Sequence, residues 1–448
     1  MAVKNNNVVI LGAARSGLSA ASLLKKTGNS VFVSDNAVKG KIKEKNYLTK
    51  MGIPFEFGRH SERVFQADFV VLSPGIPSTS EIVKSITARN IPVYSEIEVA
   101  SWFCRSKIIA VTGSNGKTTT TTILGKMLKS RYHDSFVAGN IGFPFSDFVL
   151  DSTEKNWVGV EVSSFQLETI DRFHPSVAII LNLSPNHLDW YNSFEEYASA
   201  KLKILNNLSP DDHVIIDGDD DELNKRILAS PPRKFKFSLK SKRAEAYLFD
   251  DHIYLFNEQL INIHDVQLLG PHNYKNLMAA GIAAKIAGVA TSDIASVMRS
   301  FKGVTHRLEF VNKIKNVGFI NDSKATTLES LEAALNSFSQ PVILIAGGKD
   351  KGADFDRIRS LLEESVKAAI LIGAARDRIA ASWSGIIPIA MAHDLQDAVI
   401  KAMQNAVQGD IVLLSPACSS FDMFKDFEDR GNKFKKIVTQ LKKQYENQ

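Results

Sequence analysis

Short β-branched runs recur along the chain, each closed by a glycine or small polar turn and followed by a stretch of helical periodicity. They are VVILG (8–12), VFVSD (31–35), FVVLSPG (69–75), KIIAVTG (107–113), VAIILN (177–182), HVIID (213–217), PVILIAGG (341–348), AAILIG (368–373) and DIVLLSPA (410–417). Near-continuous apolar strands alternating with helices belong in parallel sheets covered on both faces. The expected fold class is therefore α/β, with ligands beyond the carboxyl ends of the strands. Shorter strand-like pieces within 233–268 (KFKFSL, AYLFD, HIYLF, QLIN) predict an antiparallel patch inside the middle of the chain.

At about 150 residues per domain, the 448 residues suggest three domains. Breaks in the pattern place them at 1–97, 98–303 and 304–448. A hydrophobic content of 44% with 23% charged residues excludes fibrous and disordered classes. The net charge of +5 is too mild to argue for nucleic acid. Two cysteines, Cys104 and Cys418, cannot make a disulfide framework, so a reducing, cytoplasmic setting is expected. No apolar run approaches the ~20 residues of a membrane span. The lysines of KGKIKEK (39–45) and of the C-terminal helix read as solvated faces.

The strongest local signal is VTGSNGKTTTT (111–121), directly after an apolar strand. Gly113 and Gly116 let the backbone turn so that the N–H groups of Ser114, Asn115 and their neighbours face one concavity at a helix start. That suits a polyphosphate. Lys117 would set a cation on the β/γ-phosphates, with the Thr118 hydroxyl placed for Mg²⁺ and Thr119 beside it. Val111 stands where a full GxxxxGK[ST] loop has its first glycine, so the form is GxxGKT. In the first block, GAARSG (12–17) and Asp35 resemble the dinucleotide fingerprint superficially, but Ala14 replaces the middle glycine.

Further motifs follow: EVSSFQLE (161–168), NLSPNHLDW (182–190), YASAKLKIL (197–205), GPHNYKN (270–276), THRLE (305–309), NDSKATT (321–327), GGKDKGADF (347–355) and SPACSSFDMFKDFEDRG (415–431). In this order after the GKT loop they resemble the Mur ligases of peptidoglycan synthesis over essentially the whole chain. The last two point to the branch that adds D-glutamate to UDP-N-acetylmuramoyl-L-alanine. The resemblance implies Rossmann-like first and third domains around a P-loop ATPase domain. It also implies ATP-driven amide formation: the substrate carboxylate takes the γ-phosphoryl group, and the amine of D-glutamate displaces phosphate. Two anions must meet, so cations are required, and two Mg²⁺ ions are implied.

Carried onto this chain, the resemblance makes Lys117, Glu161, His187 and Lys201 catalytic. Thr118 and Glu161 would hold one Mg²⁺, and His187 with a carbamylated Lys201 the second. On residues alone His187 reads as a solvated loop histidine and Lys201 as a solvent-facing helix lysine, so both roles rest on the resemblance. Lys203, about 200° away around a helix, should not share the role. Asn273 and Asn276, three apart on one helix face, would read adenine, although Asn273 alone could be a helix cap. Arg307 and Asp322 would reach the nucleotide. The sugar nucleotide would meet Gly12, Gly17, Asp35, Asn36, Ser73, Pro74, Gly75, Asn140, Ser163 and Gln166. D-glutamate would meet Lys324, Thr326, Lys351, Ser420 and Phe427, with Lys349 exposed. A monomer acting on small molecules, without nucleic acid or membrane, is expected. Alternatives are a ligase of the same superfamily with another acceptor, a P-loop ATPase without ligase activity, and a nicotinamide dehydrogenase. The last leaves the GKT loop unexplained.

Overall fold

The computed structural model describes residues 4–37, 42–184, 190–268, 270–338, 340–350 and 352–446. They form two compact units, 1–301 and 302–448. The first unit holds two sheets and the second holds one.

The N-terminal sheet contains β1 (Asn7–Leu11), β2 (Ser30–Asp35), β3 (Phe55–Phe57), β4 (Phe69–Leu72) and β5 (Val93–Ser95), all parallel, in the order β3-β2-β1-β4-β5. Alternate residues serve opposite faces, as the period of two requires. Val8, Ile10, Val31, Val33 and Val71 pack with Ala20 and Leu24 of the helix Arg15–Lys26. Val9, Leu11, Val70 and Leu72 pack with Val83 and Ile86 of the helix Glu81–Thr87. The order reverses at β1, and a switch point of this kind opens a crevice at the carboxyl ends.

The central sheet contains β6 (Lys107–Thr112), β7 (Val137–Gly139), β8 (Trp157–Glu161), β9 (Val177–Ile180), β10 (His213–Asp217), β11 (Arg233–Ser238), β12 (Ala246–Phe249), β13 (His252–Leu255) and β14 (Glu258–Asn262). Its order is β14-β13-β12-β11-β10-β9-β6-β8-β7. The antiparallel patch is smaller than the sequence suggested. β11 and β12 join the sheet in parallel, and only β12–β13–β14 form antiparallel hairpins. The alternation in KFKFSL describes a strand with one face less buried than the other; it does not report which way its partners run.

The expected break at residue 97 falls within the helix Glu96–Ser101, which serves both sheets. Its Ile97 and Ala100 pack with Ile108, Phe145 and Val158 of the central core, and its Val99 with the N-terminal core. Glu98, fully buried, accepts the N–H groups of Asp171, Arg172 and Phe173 at 3.0, 2.9 and 2.8 Å and the Trp102 indole at 2.6 Å.

The second unit carries β15 (Glu309–Ile314), β16 (Val317–Asn321), β17 (Val342–Gly347), β18 (Val366–Ile372), β19 (Ile389–Met391) and β20 (Ile411–Leu414), ordered β15-β16-β20-β17-β18-β19. Only β15 runs antiparallel. The helix Phe427–Glu446 buries Phe434, Val438 and Leu441 against this sheet. Its Lys433, Lys436 and Lys443 stay exposed, as their spacing predicts. Among the described residues, no helix is long and apolar enough to cross a membrane.

Candidate active site

The GKT loop joins β6 to the helix Lys117–Arg131, whose N-cap is Gly116 at φ 83°. A Cβ there would meet Asn276 Oδ1 at 2.3 Å, so the position demands glycine. The loop is clamped from the chain after β9. Ser114 N–H donates to Asn182 O at 3.0 Å, Asn115 N–H to Asn182 Oδ1 at 2.9 Å, and Asn182 Nδ2 returns to Asn115 O at 3.2 Å. Ser114 Oγ donates to Ser184 O and accepts Ser184 N–H, both at 2.9 Å. Thus Ser114 and Asn115 spend their amides on the clamp, contrary to the expected continuous nest. The donors left for an anion are the first-turn amides of the helix, which have no intrahelical acceptor. Thr118 and Thr119 are buried within that turn.

Lys117 Nζ reaches Gly113 O at 2.8 Å and Ser114 O at 2.9 Å. Lys201, in the helix Phe194–Leu202, is 1% exposed, and its Nζ reaches the same Gly113 O at 2.9 Å. A solvent-facing lysine there is excluded. Burial first, and the Lys117 charge second, hold its amine well below the ordinary lysine value, with Glu161 opposing. Tyr197, one turn earlier, lies under Lys201 Nζ (4.7 Å to the ring centre) and donates its hydroxyl to Ser114 Oγ at 3.0 Å. Burial pushes that phenol up to about 12. Tyr197 was missed from sequence, yet its i,i+4 spacing from Lys201 is the signal that finds it. Lys203 turns away, to Glu168 O at 2.8 Å.

Glu161 ends β8 and is 1% exposed. Its Oε1 accepts Asn140 Nδ2 at 3.0 Å, while the Asn140 N–H bonds the Glu161 carbonyl at 2.9 Å. Its Oε2 is buried with no hydrogen-bond partner among the described residues. A buried carboxylate oxygen without a donor is costly unless a cation completes it. Hard oxygen donors suit Mg²⁺, which keeps water and phosphate as further ligands. The residues therefore fit such an ion. His187 lies outside the described residues.

Asn276 is buried and its amide lies 3.4 Å from Asn273 Oδ1, so the two share a face of the helix Pro271–Ile286. The N-cap is Gly270, which removes the capping explanation for Asn273.

At the N-terminal sheet, the Gly12–Gly17 turn is tight. A Cβ on Gly17 would lie 1.9 Å from Gly12 O, and Ser73 Oγ donates to that carbonyl at 3.1 Å. Asp35 accepts the Ala13 N–H at 2.7 Å and the Ala37 N–H at 2.8 Å, so it braces the turn. Asn36 and Gly75 are exposed and Pro74 half-buried at the same strand ends. Arg15 reaches Gly142 O at 2.5 Å and so ties this turn to the loop of Asn140. Ser163 and Gln166 form a buried capping box, Ser163 Oγ and N–H both meeting Gln166 Oε1. Their mutual bonding accounts for both types at that spacing.

In the second unit, Lys324 Nζ lies 6.0 Å from the centre of the Phe427 ring, and Ser323 Oγ donates to Phe427 O at 2.8 Å. Thr326 is half-buried nearby in sequence, and Ser420 is 2% exposed. Lys349 is exposed, as expected; Lys351 lies outside the described residues. Asp322 accepts Leu308 N–H at 3.2 Å and Ser415 Oγ at 2.9 Å, and burial pushes its carboxyl up to about 7, opposed by Ser415 and Arg307. Arg430, fully buried, was missed. It donates to Ser323 Oγ and O at 2.9 Å and to Cys418 O at 3.2 Å, joining two of the motifs. Nothing in local periodicity marks it.

A phosphate loop at the end of a parallel strand, two converging lysines and a buried carboxylate with an open oxygen define a nucleotide-binding α/β protein equipped for phosphoryl chemistry. Family models for a MurD N-terminal domain, a Mur ligase middle domain and a Mur ligase glutamate ligase domain match residues 7–82, 111–284 and 306–418. A relative from Chloroherpeton thalassium, named UDP-N-acetylmuramoylalanine--D-glutamate ligase, is 40% identical over 465 residues, covering 98% of this chain and 99% of its own length. Two solved structures share the fold. UDP-N-acetylmuramate-alanine ligase MurC from Thermotoga maritima has a TM-score of 0.60 at 19% identity, covering 98% of this chain and 100% of that one. MurF ligase from the same organism, in complex with ADP, has a TM-score of 0.60 at 16% identity, covering 92% and 95%. The chain belongs to the Mur ligase family, whose members are ATP-dependent ligases acting on small molecules.

Proposed function

We propose that this chain is the ATP-dependent ligase that joins D-glutamate to UDP-N-acetylmuramoyl-L-alanine, yielding ADP and phosphate, in cytoplasmic peptidoglycan precursor synthesis. The observation that carries the proposal is the convergence of Lys117 and the buried Lys201 on Gly113 beside Glu161, in a chain alike end to end to a D-glutamate ligase. Residues 1–97 hold the sugar nucleotide, 98–303 hold ATP, and 304–448 hold D-glutamate; the protein acts as a monomer off the membrane.

The first-turn amides after Gly116 receive the polyphosphate, and Lys117 exchanges its carbonyl partners for the β/γ-oxygens. The substrate carboxylate forms a bond to the γ-phosphorus as the bond to ADP breaks. The amine of D-glutamate then bonds the acyl carbon, phosphate leaves, and the ammonium proton is lost. Thr118 and Glu161 would hold one Mg²⁺, and His187 with Lys201 carbamate a second. Held there, the ions would supply positive charge against the repulsion between the two anions. Asn140 orients Glu161. Asn273 and Asn276 face adenine, Arg307 and Asp322 the nucleotide, and Lys324, Thr326, Lys351, Ser420 and Phe427 the amino acid.

Phosphate release with ATP, Mg²⁺ and UDP-N-acetylmuramoyl-L-alanine, compared across amino acids, tests this. D-glutamate alone should support turnover with a new amide product. Release without any acceptor would leave a P-loop ATPase, and preference for another amino acid would move the chain to another ligase.

A further inference from the structure

The carboxyl ends of β2 and β3 hold a cluster that the proposed function leaves unused: Ser34, Glu56 and His60. Ser34 is fully buried on β2, with Glu56 opposite it in register on β3. Ser34 Oγ lies 2.8 Å from Glu56 Oε1 and 2.7 Å from His60 Nδ1. Glu56 Oε1 also accepts the Ser61 N–H at 2.9 Å, folding the turn back over the strand ends. The Gly58 N–H bonds the Asp35 carbonyl at 2.9 Å. His60 and Asp35 thus flank one strand end, beside the Gly12–Gly17 turn that Asp35 braces.

The proton arrangement follows from counting. Burial works against the Glu56 charge, but hydrogen bonds from Ser61 and Ser34 hold its carboxyl below the usual range, so it is an acceptor only. Ser34 has a single proton, which goes to Glu56 Oε1 at 2.8 Å in preference to the neutral Arg59 carbonyl at 3.5 Å. Its oxygen must then accept from His60, so Nδ1 carries the hydrogen. Burial lowers the imidazole from its ordinary value, with Glu56 and Asp35 opposing, which favours the neutral ring. The neutral ring with a hydrogen on Nδ1 has a bare lone pair on Nε2. Nε2 makes no hydrogen bond among the described residues. The relay Glu56–Ser34–His60 therefore fixes one tautomer and leaves an acceptor at the ligand end of a parallel sheet.

We propose that His60 is a specificity-determining residue of the nucleotide end, its Nε2 accepting a hydrogen bond from an N–H or O–H donor of uridine. This rests on residues 1–97 being the UDP-sugar site. Uracil carries such a donor at N3, where cytosine has only a lone pair, and the ribose carries hydroxyl donors.

The test is calorimetric titration of UDP into the full chain, with steady-state kinetics on the sugar nucleotide. His60→Phe, which keeps a ring and loses both nitrogens, should weaken UDP binding and raise the sugar-nucleotide KM about tenfold, the scale of one hydrogen bond. kcat and the ATP KM should stay within about twofold, and His60→Gln should recover part of the loss. In wild-type protein the His60 Nε2 ¹⁵N resonance should sit at the unprotonated position and move on saturation with UDP, a readout independent of any variant's folding. If 3-methyl-UDP abolishes the difference between wild type and His60→Phe, the donor is the base; if 2′,3′-dideoxy-UDP does, it is the ribose. Either supports the proposal. Equal UDP affinity of His60→Phe and wild type, or an Nε2 resonance that ignores UDP, overturns it while leaving the UDP-sugar site standing. Wild-type protein that does not bind UDP at all overturns both.

Discussion

The Lys117 and Lys201 side-chain nitrogens meet on one acceptor, the Gly113 carbonyl, at 2.8 and 2.9 Å. Two ammonium groups that close repel, and the deeper one yields. Lys201 is held well below the ordinary lysine value, by burial and then by Lys117. A neutral amine is the form that reacts with CO₂ to give a carbamate.

Lys201→Ala should lower ligase turnover by about a hundredfold or more, the scale for removing a group that acts on transition-state charge. Short-chain carboxylates should restore part of it by supplying the missing anion. Turnover unchanged from wild type would refute the assignment.

Lys117→Ala should reduce phosphate release by about a thousandfold. It should also raise the Lys201 pKa, because the second cause of the depression is gone while burial remains. NMR titration of the Lys201 amine in this variant checks the coupling; an unmoved value would mean the two lysines do not interact.

Gly116→Ala places a Cβ 2.3 Å from Asn276 Oδ1 at a φ of 83°. Left-handed backbone costs a non-glycine residue about 1–2 kcal/mol, and the clash adds to it. ATP affinity should fall about tenfold or more while binding of the sugar nucleotide is retained. Calorimetry with each ligand separates the two.

Glu98→Ala strips three backbone N–H groups and the Trp102 indole of their buried acceptor. Loss of a buried charged partner to several donors should cost about 3 kcal/mol or more. Urea unfolding followed by tryptophan fluorescence in a Trp383→Phe background, where the remaining tryptophans all lie in the first unit, should show that unit melting early. A midpoint within error of wild type would contradict the anchoring role.

Glu96 is buried, and its carboxyl is pushed up to about 7 by desolvation, against hydrogen bonds from Ser146. Its folded pKa exceeds the unfolded one, so its contribution to stability is full below about pH 4.5 and lost as pH rises through about 7. Glu96→Gln cannot ionise, so the variant should gain on wild type between those limits, at no more than about 1.4 kcal/mol per pH unit. Denaturation midpoints from pH 4 to 8 measure it. A constant gap between the two proteins would show that Glu96 does not titrate there.

Most of the strands and the phosphate loop were legible in the chain itself, because apolar runs and glycine turns are local properties, and near-continuous apolar runs alternating with helices imply parallel sheets covered on both faces. Gly116 caps the helix in the left-handed conformation that a glycine turn before a helix implies, and Asn273 and Asn276 share the face that their spacing dictates. The antiparallel extent of 233–268 was misjudged because strand direction depends on the partner. The burial of Lys201, the clamp of Asn182 on the loop, the guanidinium of Arg430 between two motifs and the Glu56–Ser34–His60 relay were decided only by tertiary structure. Each joins residues from separate segments, and the low dielectric that sets their protonation exists only once those segments have packed.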